Sequence, residues 1–299
     1  MDYIIGLDGG GTNTRAVAFD MAGNVLFEQI EGFANVLIDA EIAIANIVRA
    51  IDACQKALPA QLCQYIFIGI AGINSGMYRT ELETEIKKFA TPFTITNDAV
   101  IAHAAALTGE DGILAISGTG SIMYGKKDAE FKTVGGWGHL LGDEGSGYDI
   151  VIAYFKYMIA QFEAGFEQSD LTTEILTSIG KQQVEEIKAF IYTSSKGEIA
   201  ELTKIIVVAA NHGNQQATLI LEMAAEALAK QTLLLAQNMQ FENVVKIGLK
   251  GSILTKVAAI NETYKRKVTA VLPNVQFIEG DASSPKGAYY LALKALEKL

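Results

Sequence analysis

Apolar and polar positions divide the chain into short apolar runs separated by amphipathic stretches. Tyr3-Ile4-Ile5-Gly6-Leu7 is apolar over the length of a buried strand. Residues 15–20 (Arg-Ala-Val-Ala-Phe-Asp) form a second run, and 24–31 (Asn-Val-Leu-Phe-Glu-Gln-Ile-Glu) a third after the Met21-Ala22-Gly23 turn. Three such runs in close succession predict an antiparallel meander. Residues 39–57 carry apolar side chains at Ile42, Ala45, Ile47, Val48 and Ile51, the spacing of a helix. A buried strand follows at 65–70, ending in Ala71-Gly72-Ile73-Asn74-Ser75-Gly76. Then come a charged helix at 78–89, a strand at 93–96 and an Ala-rich helix at 99–107, with Asp98 at or near its N-cap. The long crossovers between the later strands indicate an α/β layer structure with a mixed sheet. Active groups in such sheets sit at the carboxyl ends of the strands, so Asp8, Asn74 and Asp98 are expected to line one mouth.

The pattern then restarts. Residues 112–116 are a strand, Ser117-Gly118-Thr119-Gly120-Ser121 a turn, and 122–124 the strand beyond it, repeating the arrangement that opens the chain. Residues 134–149 have neither helical nor strand period. An apolar helix runs over 150–165, and the chain stays mostly helical to about 240, including 215–237, with a break at Asn211-His212-Gly213-Asn214. Strand character returns at 244–247, followed by Gly248-Leu249-Lys250-Gly251-Ser252, a helix to about 266 and a strand at 275–278. A final helix is expected over 284–298, opened by Ser283 and Ser284 with Pro285 near its first position. Two strand–bend–strand units about a hundred residues apart point to two sheet domains.

Composition agrees and narrows the partners. The 299 residues are half apolar and 19% charged, with only four prolines, as expected for a well-packed chain of two domains. The net charge of −10 disfavours a polyanion such as nucleic acid. A small anion such as ATP is compatible, because backbone N–H groups and Mg²⁺ can hold it locally. Cys54 and Cys63 match neither metal-ligand nor redox spacing and read as reduced packing residues. No apolar stretch reaches about 18 residues, and the N-terminal run lacks a basic region. The expectation is a soluble cytoplasmic protein without membrane or nucleic-acid partners.

Three stretches carry candidate chemistry. In Asp8-Gly9-Gly10-Gly11-Thr12-Asn13-Thr14 the glycines leave no side chain between the backbone and a ligand above the turn. Such a loop can aim several N–H groups at a phosphate. Thr12 and Thr14 add hydroxyl donors, and Asp8 is placed to hold a metal-bound water. By itself the stretch reads equally as an ordinary glycine-rich hairpin turn. The second unit, Ser117 to Ser121, again pairs Gly with Thr after an apolar strand, which favours a two-sided phosphate clamp. The third stretch, 134–149, holds six glycines, Trp137, His139 and the adjacent acids Asp143 and Glu144 without any period, which suits a site better than a connector. Other nucleotide signatures fail. Gly120 to Lys126 imitates a P-loop, but Lys127 stands where Ser or Thr must hold Mg²⁺. No Gly-x-Gly-x-x-Gly opens a helix in the first βα turn, and the His-Arg-Asp and Asp-Phe-Gly sets of protein kinases are missing.

Asp8-Gly-Gly-Gly-Thr12, Ser117-Gly-Thr-Gly-Ser121 and Gly251-Ser252 resemble the phosphate-1, phosphate-2 and adenosine motifs of the sugar kinase/actin/Hsp70 superfamily. Within it, Gly135-Gly-Trp-Gly-His-Leu-Leu-Gly-Asp-Glu-Gly-Ser146 is similar to the N-acetylglucosamine kinase branch, the BadF/BadG/BcrA/BcrD ATPase family. The resemblance implies two RNase H-like (actin-like ATPase) domains, 1–108 plus 284–299 and 109–283, the latter with a helical insertion, and an active site in the interdomain cleft. It implies ATP and Mg²⁺ as cofactors, an amino sugar as substrate and a homodimer. ATP contacts fall to Asp8 (through water to Mg²⁺), Gly10, Gly11, Thr12, Thr14, Ser117, Gly118, Thr119 and Gly120, with Gly213, Gly251 and Ser252 near the nucleoside. Sugar contacts fall to Asn35, Asn97, Asp98, Gly136, Trp137, Gly138 and Asp143, and Asp98 is the expected catalytic base. The implied reaction phosphorylates the 6-hydroxyl of N-acetylglucosamine or glucosamine, with glucose or N-acetylmuramic acid as alternatives. Activator ATPases of the wider family hold an iron–sulfur cluster through cysteines at a dimer interface, and Cys54 and Cys63 fall too early for that. A sugar sensor on the same scaffold is a third reading, disfavoured by the intact Asp8, Thr12, Asp98 and Thr119 and by the lack of a DNA-reading segment before residue 3.

Overall fold

The computed structural model describes residues 2–73, 76, 78–128, 130–241, 244–280 and 282–298, so Asn74 lies outside the described residues. The chain forms two compact units, Met1–Glu110 with Gly280–Leu299, and Asp111–Glu279.

The first unit runs β1 (Tyr3–Gly9), β2 (Thr14–Asp20), β3 (Val25–Glu31), α1 (Ala40–Ala57), β4 (Cys63–Ile70), α2 (Arg79–Lys87), β5 (Phe93–Thr96) and α3 (Asp98–Leu107). Its sheet has the order β3-β2-β1-β4-β5. The meander pairs antiparallel, and β4 and β5 run parallel to β1. β1 and β4 are buried almost throughout, as central strands covered on both faces must be, whereas β3 alternates toward solvent at the edge. Successive residues of β1 serve opposite faces. Ile5 and Leu7 join Ile47, Ile51, Ile66 and Ile68 beneath α1, while Ile4 joins Val17, Phe67 and Ile101 on the other side.

The second unit repeats the scheme. It contains β6 (Gly112–Ser117), β7 (Ser121–Lys127), β8 (Glu130–Gly135), α4 (Gly147–Glu163), α5 (Asp170–Ser178), α6 (Ile187–Thr193), α7 (Lys196–Glu201), α8 (Thr203–Asn211), α9 (Gln215–Met239), β9 (Val245–Lys250), α10 (Ser252–Lys256), α11 (Ala258–Val271) and β10 (Val275–Glu279). The sheet order is β10-β9-β6-β7-β8, again a central strand with a meander on one side and two parallel strands on the other. α9 and α11 supply Leu228, Leu235 and Tyr264 to a core shared with Ile113, Met123 and Ile247. Inside it the Tyr264 hydroxyl meets Thr232 Oγ1 at 2.9 Å.

The last helix, α12 (Ser284–Leu296), returns to the first unit and packs Ala288, Tyr289 and Ala292 against Ile4 and Ile101. Gly287 permits that approach, because a Cβ there would run into the carbonyl of Ile101.

Three local expectations change. Val134 and Gly135 belong to β8, an edge strand with little burial and so little alternation to read. α4 opens at Gly147 rather than 150, because the Ser146 hydroxyl accepts the Asp149 N–H and caps a first turn that contains glycine. The helix after Gly251 is interrupted at Val257, whose extended backbone separates α10 from α11.

Candidate active site

In the first unit the parallel strands β1, β4 and β5 end on one edge of the sheet. Gly9 pairs with Ile70, and Gly69 pairs with Thr96. Two strand spacings of about 4.8 Å therefore put Asp98 roughly 10 Å across that edge from the β1–β2 turn. The turn is braced from both sides: Ala34 N–H donates to Gly10 O and Ala71 N–H to Gly9 O, each at 2.9 Å. Within it Gly10 N–H donates to Asn13 O at 2.9 Å, and Gly11, Thr12 and Asn13 stand exposed. Asp8 is half-buried on β1 opposite Arg15. The Arg15 guanidinium is held above its ordinary range by its bond to Glu28, with Asp8 adding to the same effect.

The Thr14 hydroxyl points into the unit rather than out of the turn. Thr14 is fully buried, and its Oγ1 donates to Gly32 O at 2.7 Å, tying the second strand to the loop that carries Asn35. In that loop Asn35 Oδ1 accepts Leu37 N–H at 3.0 Å and lies against Gly72. At the tip of β5, Asn97 rather than Asp98 is the N-cap of α3, with Oδ1 accepting Val100 N–H at 2.9 Å. Asp98 is the first helical residue and takes the adjacent Ala99 N–H on Oδ1 at 3.0 Å.

In the second unit the β6–β7 turn and the glycine-rich loop are laced into one body. Ser117 Oγ donates to Gly145 O at 2.8 Å, Ser121 Oγ to Glu144 O at 2.8 Å, and Gly147 N–H to Gly118 O at 2.8 Å. The Ser117 hydroxyl is buried and committed to this lacing, and the exposed Thr119 carries the hydroxyl at the tip. Gly251, at φ +90°, lies so close beneath the turn that a Cβ would enter the Ser117 carbonyl. Ser252 follows at the start of α10 and is exposed. Gly213 ends α8 in an exposed turn with open space around it.

Asp143 is 4% exposed and adopts a left-handed backbone at φ +64°. Its carboxylate is engaged on both oxygens, by Ser121 N–H at 3.3 Å and by the Lys196 ammonium at 2.5 Å. Nearby Asp149 accepts Gly145 N–H at 2.9 Å, and burial pushes its carboxyl above the usual range. The rim of the loop is open: Trp137 is 76% exposed between the left-handed Gly136 and Gly138, and His139 stacks edge-on against Tyr148 at 4.9 Å. Sequence reasoning missed Lys196. The Ser195-x-x-Glu198 capping box marks the start of α7, but nothing local announces a partner 53 positions away.

For a cation the residues fit Mg²⁺ better than a structural metal. Among the described residues no group of three or more His, Cys, Asp or Glu is arranged to hold a metal ion. A single carboxylate, Asp8, beside the β1–β2 turn suits an ion that keeps its waters and takes further ligands from a phosphate. No helix among the described residues is long and apolar enough to cross a membrane.

Two mixed sheets of one topology, each with a Gly/Thr turn after its central strand, define the actin-like ATPase class of fold. The model of the BadF/BadG/BcrA/BcrD ATPase family matches residues 5–282, and the chain belongs to that family. It is 29% identical over 301 residues to the N-acetylmuramic acid/N-acetylglucosamine kinase of Clostridium acetobutylicum, covering 98% of each chain. It is 25% identical over 318 residues to the N-acetyl-D-glucosamine kinase of Dictyostelium discoideum, again covering 98% of each. Among solved structures, a candidate N-acetylglucosamine kinase from Chromobacterium violaceum superposes with a TM-score of 0.68 at 21% identity, over 98% of this chain and 99% of that one.

Proposed function

We propose that this chain is an ATP-dependent amino-sugar kinase that phosphorylates the 6-hydroxyl of N-acetylglucosamine or glucosamine, with Asp98 as general base. The observation that carries the base assignment is the division of labour at the tip of β5. Asn97 is the cap of α3 through the Val100 N–H, and Asp98 spends one carboxylate oxygen on the adjacent Ala99 N–H, so its carboxylate is not the cap. In the step assigned to it, the sugar hydroxyl oxygen attacks the γ-phosphorus, its proton passes to Asp98, and ADP leaves with the bridging electron pair.

The exposed Thr12 and Thr119 and the backbone of their two turns contact phosphates. Gly213, Gly251 and Ser252 serve the nucleoside. Asn35, Asn97 and Trp137 with its flanking glycines serve the sugar, and Asp143, buried with both oxygens engaged, acts on that side through the loop it anchors rather than by direct contact. Mg²⁺, held through water by Asp8, supplies charge neutralisation of the phosphates when bound. Similarity over almost the full chain to two kinases named for N-acetylated amino sugars supports the substrate class. An activator ATPase is disfavoured because both cysteines are buried in the first unit's core, away from any surface where a shared cluster would sit.

The deciding experiment is a coupled ADP-release assay over glucose, glucosamine, N-acetylglucosamine, N-acetylmannosamine and N-acetylmuramic acid. ADP release that depends on an amino sugar supports the kinase. Release indifferent to every sugar overturns it in favour of an activator-type ATPase.

A further inference from the structure

We infer that Lys196, supplied by the helical segment of the second unit, is the side-chain cation that binds the terminal phosphates of the nucleotide; this rests on the reading of the β6–β7 turn as a phosphate site. Lys196 opens α7, and its ammonium reaches back to the turn, coming within 2.6 Å of where a Cβ on Gly120 would stand. It therefore lies over the tip that presents Thr119 and the Gly118–Gly120 backbone. The turn itself offers only neutral donors. A polyphosphate bound there needs positive charge, and Lys196 brings an ammonium to this tip.

Its placement is built rather than incidental. Ser195 and Glu198 form a reciprocal capping box that fixes the first turn of α7. Just beyond α7, Thr203 Oγ1 donates to Gly147 O at 2.8 Å, tying this segment to the lacing of the turn. Asp143 holds the ammonium at 2.5 Å. That carboxylate is itself anchored by Ser121 N–H, so it keeps a partner if the ammonium leans toward a phosphate. Lysine has three donors on a flexible four-carbon stem, so one ammonium can bridge Asp143 and a phosphate oxygen together. A solvated surface lysine would lack these features. Lys204, on the same segment, is 77% exposed and pairs only with the exposed Glu201 three positions away.

The test is direct binding of AMP, ADP and ATP, by titration calorimetry without sugar, to the wild type and to Lys196→Met, Lys196→Arg and Lys204→Met. Loss of a charge-assisted contact should weaken ATP and ADP by roughly 10- to 100-fold in Lys196→Met and leave AMP unchanged. Lys196→Arg should recover most of the loss, and Lys204→Met should match the wild type. Unaltered ATP affinity in Lys196→Met overturns the assignment. So does equal weakening of AMP and ATP, which would mean that the change merely damages the fold. If Lys196→Met fails to fold, the comparison of ATP with AMP in Lys196→Gln replaces it. Because binding is read without sugar or turnover, a wild type that binds ATP but phosphorylates no sugar refutes the kinase reading while leaving this assignment to its own result.

Discussion

At the scale of the residue, the chemistry depends on which polar groups the fold has already committed. Thr14 and Ser117 sit in motifs that suggest phosphate donors, yet both hydroxyls are buried and spent on carbonyls. Thr12 and Thr119, at the exposed tips, are not. Thr12→Ala should therefore raise the ATP concentration needed for half-maximal rate, while Thr14→Ala should chiefly lower the melting temperature. Equal ATP dependence of Thr12→Ala and wild type would sink the phosphate role. Asp98→Asn preserves shape but removes the proton acceptor. It should lower sugar phosphorylation by at least about 10²-fold while sugar affinity stays within a few-fold, read by ADP release and by calorimetry with sugar alone. Near-normal turnover in that variant would refute the base.

The two cysteines behave as core. Burial pushes Cys54 up to about 12 and Cys63 up to about 11. Neither should react with a disulfide reagent at pH 8 until the protein is denatured. The linkage has a definite sign. Above about pH 8.5 the unfolded chain loses thiol protons that the folded chain retains, so stability falls as pH rises, by up to about 1.4 kcal/mol per pH unit for each thiol. Replacing both by Ala should flatten that decline in denaturant melts between pH 8.5 and 10.5, and an unchanged slope would show that the thiols do not cause it.

At the scale of the element, the two glycine turns are legible from sequence because each follows an apolar strand and combines residues that few other structures need. What braces them is not. The β1–β2 turn leans on Ala34 and Ala71, and the β6–β7 turn on Gly145, Glu144 and Gly147, all brought in by distant parts of the chain. Gly251 shows how tight this packing is. In Gly251→Ala the left-handed backbone alone should cost about 1–3 kcal/mol. The Cβ would also push the Ser117 carbonyl out of register. The expectation is a lower melting temperature together with weakened ATP binding. A variant that melts and binds ATP like the wild type would show that the turn does not depend on this contact. β8 escaped the sequence reading for a related reason: an edge strand facing solvent carries little hydrophobic alternation.

At the scale of the whole molecule, one sheet scheme appears twice, and each copy ends its central strand in a turn of Gly and Thr. If the chain binds ATP only when folded, ATP at a hundred times its dissociation constant should stabilise it by about 2.7 kcal/mol. Asp98→Asn should keep that gain, since the base is assigned to transfer rather than to nucleotide binding. A melt unmoved by saturating ATP would contradict the nucleotide role of both turns. The charge of −10 bears on the same point: the bulk field repels anions, so any affinity for ATP has to be local.

Sequence alone determined the alternation of strands and helices, the duplicated strand–turn–strand units and the family, because these depend on local periodicity and on short motifs of unusual composition. Asp98 and the Gly/Thr turns were already visible as candidates. Only the tertiary structure decided which hydroxyls are committed, that Asn97 rather than Asp98 caps α3, and that Lys196 meets Asp143 over the second turn. Those facts are set by contacts between residues tens of positions apart. No periodicity records such contacts, because the groups that make them are chosen by where packing brings the backbone.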